Sequence, residues 1–432
     1  LGFWNTWRGW FDGYYFNLLF CLDGLANMAF TRINKKIIDS HFTWIVVSLF
    51  VMGTAFYILP PGHMQPGHYL AVIIVLIGAS FISLNSLNLG DKWLLIFGMY
   101  VTALNTYYYF DLRNFEFFVS ILFWCYNIAL FIALSHLLTY SEKARIALPY
   151  VFLTCTFSLF VLWAVGYSRD DMVFEQRYLS QFNDPNQMGY WLICSFLSFY
   201  FLVKKGVLLN RYFQLCFLCL VVALIVTTES RSALIGLIPL TAGFIWFNFV
   251  KYKLTIAKVL LIIMVIVSIF GVFKFSKGVS ENPHAQVIHK DKKNKKVFDA
   301  PLKRLLATDW HEEASIRGYF RPIKHPQYLL FGAGHGQESR FNSIHEIHFS
   351  FLSVFFYYGI VGLVLFMGFL CQIFRRLSLP EAFMLSAPFV YGLFTYGFRT
   401  PIFWVLMAIV VATRPIILKA TESPRKQNSK VT

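Results

Sequence analysis

Charge is scarce in this chain. Of its 432 residues 14% are Asp, Glu, Lys or Arg, whereas 57% are hydrophobic and 19% aromatic. A soluble domain carries about 25% charged residues, so a water-soluble globule of this length would lack the polar surface to cover itself. A soluble enzyme is excluded. Polar and apolar residues also fail to alternate with period two, the mark of a transmembrane β-strand. Stretches such as 254–275 are apolar all round, and a barrel is excluded with them. Paired cysteines are missing too. The seven cysteines all lie inside apolar runs, where a thiol behaves as a small hydrophobe, and no disulfide framework is expected. Cys216 and Cys219 form a C-x-x-C in mid-span with no second pair or nearby histidine, so no zinc or redox site is read from it. No cleavable signal peptide is expected.

What the chain has instead is apolar runs of the length a helix needs to cross a hydrocarbon core about 30 Å thick. Runs bounded by charge, Gly or Pro fall near 43–61, 69–88, 93–110, 117–139, 147–166, 187–203, 212–229, 232–250, 255–275, 347–373, 381–397 and 401–418. The expected fold class is therefore all-α, a polytopic helical membrane protein with about twelve transmembrane helices. The organisation follows: 1–42 an interfacial amphipathic helix or an extra span, 43–275 helices one to nine, 276–346 a large loop domain, 347–418 helices ten to twelve, and 419–432 a basic tail.

Lysine and arginine collect on alternate loops, and short cytoplasmic loops keep an excess of them. Lys35, Lys36, Lys92, Lys143, Arg145, Lys204, Lys205, Arg211, Lys251, Lys253, Arg375, Arg376 and the tail share one side, while the loop over 60–68 has no lysine or arginine. The long loop thus faces outward, into the periplasm. A loop of that length is too long for a mere connection. Its basic run at 290–296 reads as solvated loop, and Leu302, Leu305, Leu306 and Trp310 recur at helical spacing, predicting an amphipathic helix over 301–320. The net charge of +16, from 38 basic and 22 acidic residues, is largely this loop bias, and no nucleic-acid module is legible.

Four polar constellations fall on the outward side. The first is the hairpin Glu229-Ser230-Arg231-Ser232-Ala233 between two apolar spans, where a guanidinium offers a planar fork suited to phosphate. The second is Asn183-Asp184-Pro185-Asn186 at the entry to a span, which helix capping also explains. The third joins Arg317 and Arg321 to Phe331-Gly332-Ala333-Gly334, glycines that permit close backbone approach to a ligand or a sharp reversal. The fourth is His345-Glu346-Ile347-His348, followed by Gly359 and Gly362. Two histidines and a glutamate form an incomplete metal set, and a proton acceptor titrating near neutrality is the better reading of His348.

In their order and shared side, Ser-Arg-Ser-Ala, Asp-Pro-Asn, Phe-Gly-x-Gly and His-x10-Gly-x-x-Gly resemble the O-antigen ligase and Wzy polymerase superfamily, over about 183–362. The resemblance implies a GT-C-like glycosyltransferase of the bacterial inner membrane. Such an enzyme transfers glycan from an undecaprenyl-diphosphate-linked oligosaccharide to an acceptor sugar hydroxyl on the periplasmic face, with inversion and without cofactor, metal or nucleotide. It implies His348 as catalytic base and Arg231 and Arg317 as diphosphate-binding arginines, with Arg321 in reserve. Ser230, Asn186, Gly332 and Gly334 support them. Membrane lipids, a flippase and a chain-length regulator are the implied partners. Phe349 stands where ligases commonly carry a small polar residue, which favours polymerisation of repeat units over ligation to lipid A core or protein. The 48 Phe and 23 Tyr suggest an aromatic lining wide enough for two lipid-linked substrates. A flippase or transporter is the reading from another class, but midplane charge and internal repeats, its usual marks, are lacking.

Overall fold

The structure is a computed structural model that describes residues 41–59, 65–80, 82, 87–167, 178–204, 211–248, 317–343, 346–375 and 377–413. The expected span over 255–275, the N-terminal segment 1–40, the basic run and most of the expected amphipathic helix lie outside them. Among the described residues all regular structure is helical. The described helices before the long loop are α1 (His41–Ala55), α2 (Pro66–Ala79), α3 (Leu89–Leu112), α4 (Glu116–Tyr140), α5 (Glu142–Ala164), α6 (Pro185–Val203), α7 (Arg211–Thr227) and α8 (Arg231–Asn248). The loop contributes the single-turn α9 (Arg321–Lys324). Then come α10 (Ser350–Phe374), α11 (Leu379–Leu385), α12 (Ala387–Tyr391) and α13 (Pro401–Ala412).

Local chemistry sets several starts. Asn88 accepts from the Gly90 and Asp91 amides, and the Asp91 carboxylate accepts in return from the Asn88 amide, a reciprocal cap on α3. Asp184 accepts from the Asn186 amide at 2.8 Å with Pro185 in the first turn of α6. Capping thus explains much of the Asp-Pro-Asn motif.

Among the described residues three helices, α4, α5 and α10, are long and apolar enough to cross a membrane, and α1, α2, α7 and α13 are apolar but shorter. At about 1.5 Å per residue, the 15 residues of α1 reach only about 22 Å. The bundle is built around α6 and α13, whose residues are buried almost all round. Helix α13 packs between α4 and α6, α3 packs on α10, and α8 packs on α11 and α12. Outer faces expose Phe42, Leu76, Met99, Phe110, Phe157 and Val364, so apolar side chains lie outside as well as inside. That pattern suits a lipid solvent rather than water.

Much of the aromatic content is interior packing rather than lining. Trp124, Trp191 and Trp404 are fully buried. The Trp124 indole donates to the Tyr358 hydroxyl at 2.6 Å, joining α4 to α10, and Trp191 donates to Thr54 Oγ1 at 3.0 Å, joining α6 to α1. At the opposite end of α6, Lys204 Nζ meets Glu381 Oε1 at 2.6 Å and fastens α6 to α11.

Two departures from the expected spans matter. The continuous helix expected over 381–397 is instead α11, α12 and an irregular stretch ending in a 3-10 turn, Gly397–Arg399. Pro380, Pro388 and Pro401 with Gly392 and Gly397 interrupt the amide ladder there. The expected helix over 347–373 breaks at Gly359, whose φ of 66° and ψ of −174° are non-helical. A break inside a helix leaves amides and carbonyls without partners, and the loop 329–334 fills this one. Ala333 N donates to Phe356 O at 3.0 Å, Gly334 N to Tyr357 O at 2.8 Å, and Ile360 N to Leu329 O at 2.8 Å.

Candidate functional site

The irregular stretch 392–400 is the hub on which the polar constellations meet. Because its carbonyls are not used within a helix, they accept from elsewhere. Arg317 Nη1 donates to Phe394 O at 2.6 Å, the Tyr319 hydroxyl to Leu393 O at 3.0 Å, and Ser350 Oγ to Thr395 O at 2.9 Å. In return, Ser350 Oγ accepts from Gly397 N at 2.9 Å. Backbone of this kind is tolerated at membrane depth only where protein or a cavity lines it, and here side chains from two segments do so.

The Glu-Ser-Arg-Ser hairpin reaches the same stretch. Thr395 Oγ1 donates to Ser232 Oγ at 3.4 Å, and Ser232 Oγ is 3.1 Å from Ser230 Oγ. Ser230 Oγ donates to Asn186 Oδ1 at 2.8 Å, and the Asn186 carbonyl accepts from the Tyr391 hydroxyl at 2.9 Å. Ser230 and Ser232 are buried while Arg231 between them is half-buried, so the serines clamp the hairpin. Glu229 takes a left-handed conformation with φ of 50° to make the reversal.

Arg317 and His348 are neighbours through the backbone: His348 N donates to Arg317 O at 3.3 Å. Both side chains are half-buried. The segments that carry Arg231, Arg317 and His348 are therefore joined through one stretch of chain by hydrogen bonds of Ser232, Arg317 and the His348 amide.

Arg321 is differently placed. It is 5% exposed, ion-paired to Glu338, and donates to Ser343 Oγ at 2.7 Å and to the Tyr357 hydroxyl at 3.2 Å. It braces the loop against α10 and is poorly placed for a substrate. Arg321→Ala leaves the largely buried Glu338 carboxylate without its cation, a loss of about 3 to 5 kcal/mol for buried pairs. Thermal unfolding should fall clearly in that variant and recover in part in Arg321→Ala/Glu338→Gln. Equal stability of the single variant and the parent would disprove the brace.

Gly332 and Gly334 make their close approach to protein. A Cβ on Gly332 would lie 2.5 Å from Tyr358 Cα, and one on Gly334 would lie 3.2 Å from Asn105 Oδ1. Their role is to seat the loop in the break of α10. Residues 317–320 form a turn rather than the expected end of an amphipathic helix.

Two arginines of this end, Arg340 and Arg399, escaped the sequence reading. Arg340 lies over the rings of Phe341 and Phe117, 4.5 Å and 4.9 Å from their centroids. Its Nη2 donates to the Ala333 and Gly334 carbonyls, so it clasps the glycine loop from the other side. Arg399 makes a two-pronged pair with Glu346, and His335 Nε2 is 3.5 Å from the same carboxylate. Arg399 had a sequence signal: it sits in Tyr396-Gly397-Phe398-Arg399-Thr400-Pro401, a charged, Gly- and Pro-containing break between apolar runs.

Burial alone would raise the Glu346 carboxyl, but the His335 hydrogen bond, the Arg399 guanidinium and the charges of His335 and His348 outweigh it and hold it below its ordinary value. A carboxyl depressed by folding contributes stability above its ordinary range and loses it as pH falls through the lowered value. This tie therefore stays intact at neutral pH and opens only in acid.

This end of the bundle thus carries Arg231, Arg317 and His348, each half-buried, and the Glu346 carboxylate held by Arg399. No protein-family model matches the chain, and a comparison with curated proteins finds no match.

Proposed function

We propose that the protein is a polytopic membrane glycosyltransferase that moves a glycan from an undecaprenyl-diphosphate carrier to an acceptor sugar hydroxyl, extending a surface polysaccharide by repeat units. The reading places about twelve spans in a bacterial inner membrane and the 392–400 end at the periplasmic face. The observation that supports it best is that Arg317 and, through Ser232, the hairpin of Arg231 both bond to that one irregular stretch, with His348 tied by its amide to Arg317.

The chemistry needs little more. A lipid diphosphate is a good leaving group, so the site chiefly stabilises the negative charge that grows as the anomeric C–O bond opens. Guanidinium groups aimed at that position do this without reorganisation. The acceptor hydroxyl is a poor nucleophile. His348 takes its proton, the freed oxygen lone pair forms the new C–O bond, and the electron pair of the breaking bond leaves on the diphosphate. Attack from the side opposite the leaving group inverts the anomeric centre.

Purified full-length protein in liposomes with undecaprenyl-diphosphate-linked oligosaccharide should form longer lipid-linked chains. Movement of the lipid across the bilayer without new glycosidic bonds would identify a flippase and overturn the proposal. In cells, deletion should remove the long-chain ladder and leave single repeats attached. Complete loss of attachment would instead identify a ligase.

A further inference from the structure

Glu346, Ile347 and His348 run in an irregular, non-helical segment just before α10. Ile347 is fully buried, and its amide donates to the Tyr357 hydroxyl at 3.2 Å. Glu346 and His348 on either side are only half-buried, so both reach the more open side of that segment. Four other groups bear on that side. From the stretch 392–400 come Arg399, whose Nη1 is 2.6 Å from Glu346 Oε1, and Tyr396, whose ring Arg399 overlies. From the glycine loop comes His335, and from α10 comes Tyr357, on which His335 stacks at 4.5 Å. The Arg321–Glu338 pair lies one layer beyond Tyr357.

The two imidazoles are not equivalent. His335 is 7% exposed, its amide is held by Asn105 Oδ1 at 2.9 Å, and its Nδ1 is buried without a hydrogen-bond partner. Its Nε2 faces the Glu346 carboxylate at 3.5 Å. That fixes the carboxylate from one side while Arg399 fixes it from the other. His348 alone of the pair is exposed enough to meet a substrate.

We propose that Glu346 is a positioning residue for the proton acceptor: locked between Arg399 and His335, its carboxylate sets the proton affinity of His348, and Arg399 opposes it. The proposal rests on the reading of His348 as base. In the transfer step the imidazolium formed on His348 gains a fixed counter-charge, the role a buried carboxylate plays behind the histidine of a hydrolase triad. The Arg399 pairing keeps that charge from dominating.

The test reads the proton on His348 without any substrate. Diethylpyrocarbonate acylates only neutral imidazole, and peptide mass spectrometry of the full-length purified protein in detergent resolves each histidine. The pH midpoint of His348 acylation should fall by roughly one unit in Glu346→Gln and rise in Arg399→Gln, while His41 on α1 keeps its midpoint. Shifts of opposite sign are not produced by general loosening. Unchanged midpoints, or shifts of the same sign, overturn the proposal. If Glu346→Gln loosens the site enough to make His335 reactive, the Arg399→Gln arm decides alone: a rise supports the coupling, and no change or a fall rejects it. In the liposome assay the acid limb of kcat/KM should follow the His348 midpoint. Opposite midpoint shifts without any glycan transfer would leave the charge coupling standing and remove the enzyme reading.

Discussion

His348→Ala should reduce glycan transfer by about 10² to 10⁴-fold, the usual worth of a positioned general base, while the protein inserts and folds as the parent does. The hydrogen bond that holds residue 348 to Arg317 runs from its backbone amide and survives the substitution. The side chain is half-buried, not packed in the core, so removing it opens no interior cavity. The guanidinium groups of Arg231 and Arg317 remain to bind the diphosphate, and the loss should therefore fall on kcat more than on KM. Single-turnover transfer in liposomes measures it, alongside size-exclusion behaviour in detergent. Transfer near the parent rate by well-folded His348→Ala would remove the base assignment.

Gly332→Ala should be among the most damaging single-methyl changes at this end of the molecule. The backbone there has φ of 97°, and the new Cβ would sit 2.5 Å from Tyr358 Cα. The obstructing atoms are the backbone of α10, which cannot turn away as a side chain can. The loop must lift, and the amides and carbonyls it pairs in the Gly359 break, from Phe356 to Ile360, then lose their partners. Each costs about 1 to 3 kcal/mol when left buried and unpaired, so several together rival the stability of a whole domain. Thermal unfolding should fall sharply or the protein should fail to run as a single species. Gly166→Ala is the control: its φ of 74° is similarly left-handed, but nothing lies within 4 Å, so only the local strain of about 1 to 2 kcal/mol is expected. Equal behaviour of the two variants would mean that the loop does not depend on its seat in α10.

Much of the helical layout was legible because lipid-soluble helices announce themselves through length and composition. The expected starts near 93, 117, 187, 212 and 232 fall within a few residues of the starts of α3, α4, α6, α7 and α8. The break at 392–400 was missed since its residues, Leu393, Phe394, Tyr396 and Phe398, are apolar enough to pass for a span. Hydropathy does not register that Gly and Pro have stopped the amide ladder. The candidate site was legible in part. Arg231, Arg317 and His348 were named from motif order, but nothing local separates Arg317 from Arg321, four residues apart. Burial against Glu338 and Tyr357 assigns Arg321 to bracing. Likewise the glycines of Phe-Gly-Ala-Gly were readable as a close approach, though not as an approach to α10.

Scarcity of charge and long apolar runs were enough, without coordinates, to point towards a lipid solvent and to the helical class, because a backbone in hydrocarbon must satisfy its own hydrogen bonds within each segment. Only the tertiary structure decided which polar groups meet. Arg317 finds a carbonyl 77 residues away, Glu346 finds a guanidinium 53 residues away, and the loop fills a break opened by one glycine in another helix. Those pairings depend on where carbonyls and amides are left over when helices break. Such a surplus is settled by packing between distant segments, which no local stretch of residues encodes.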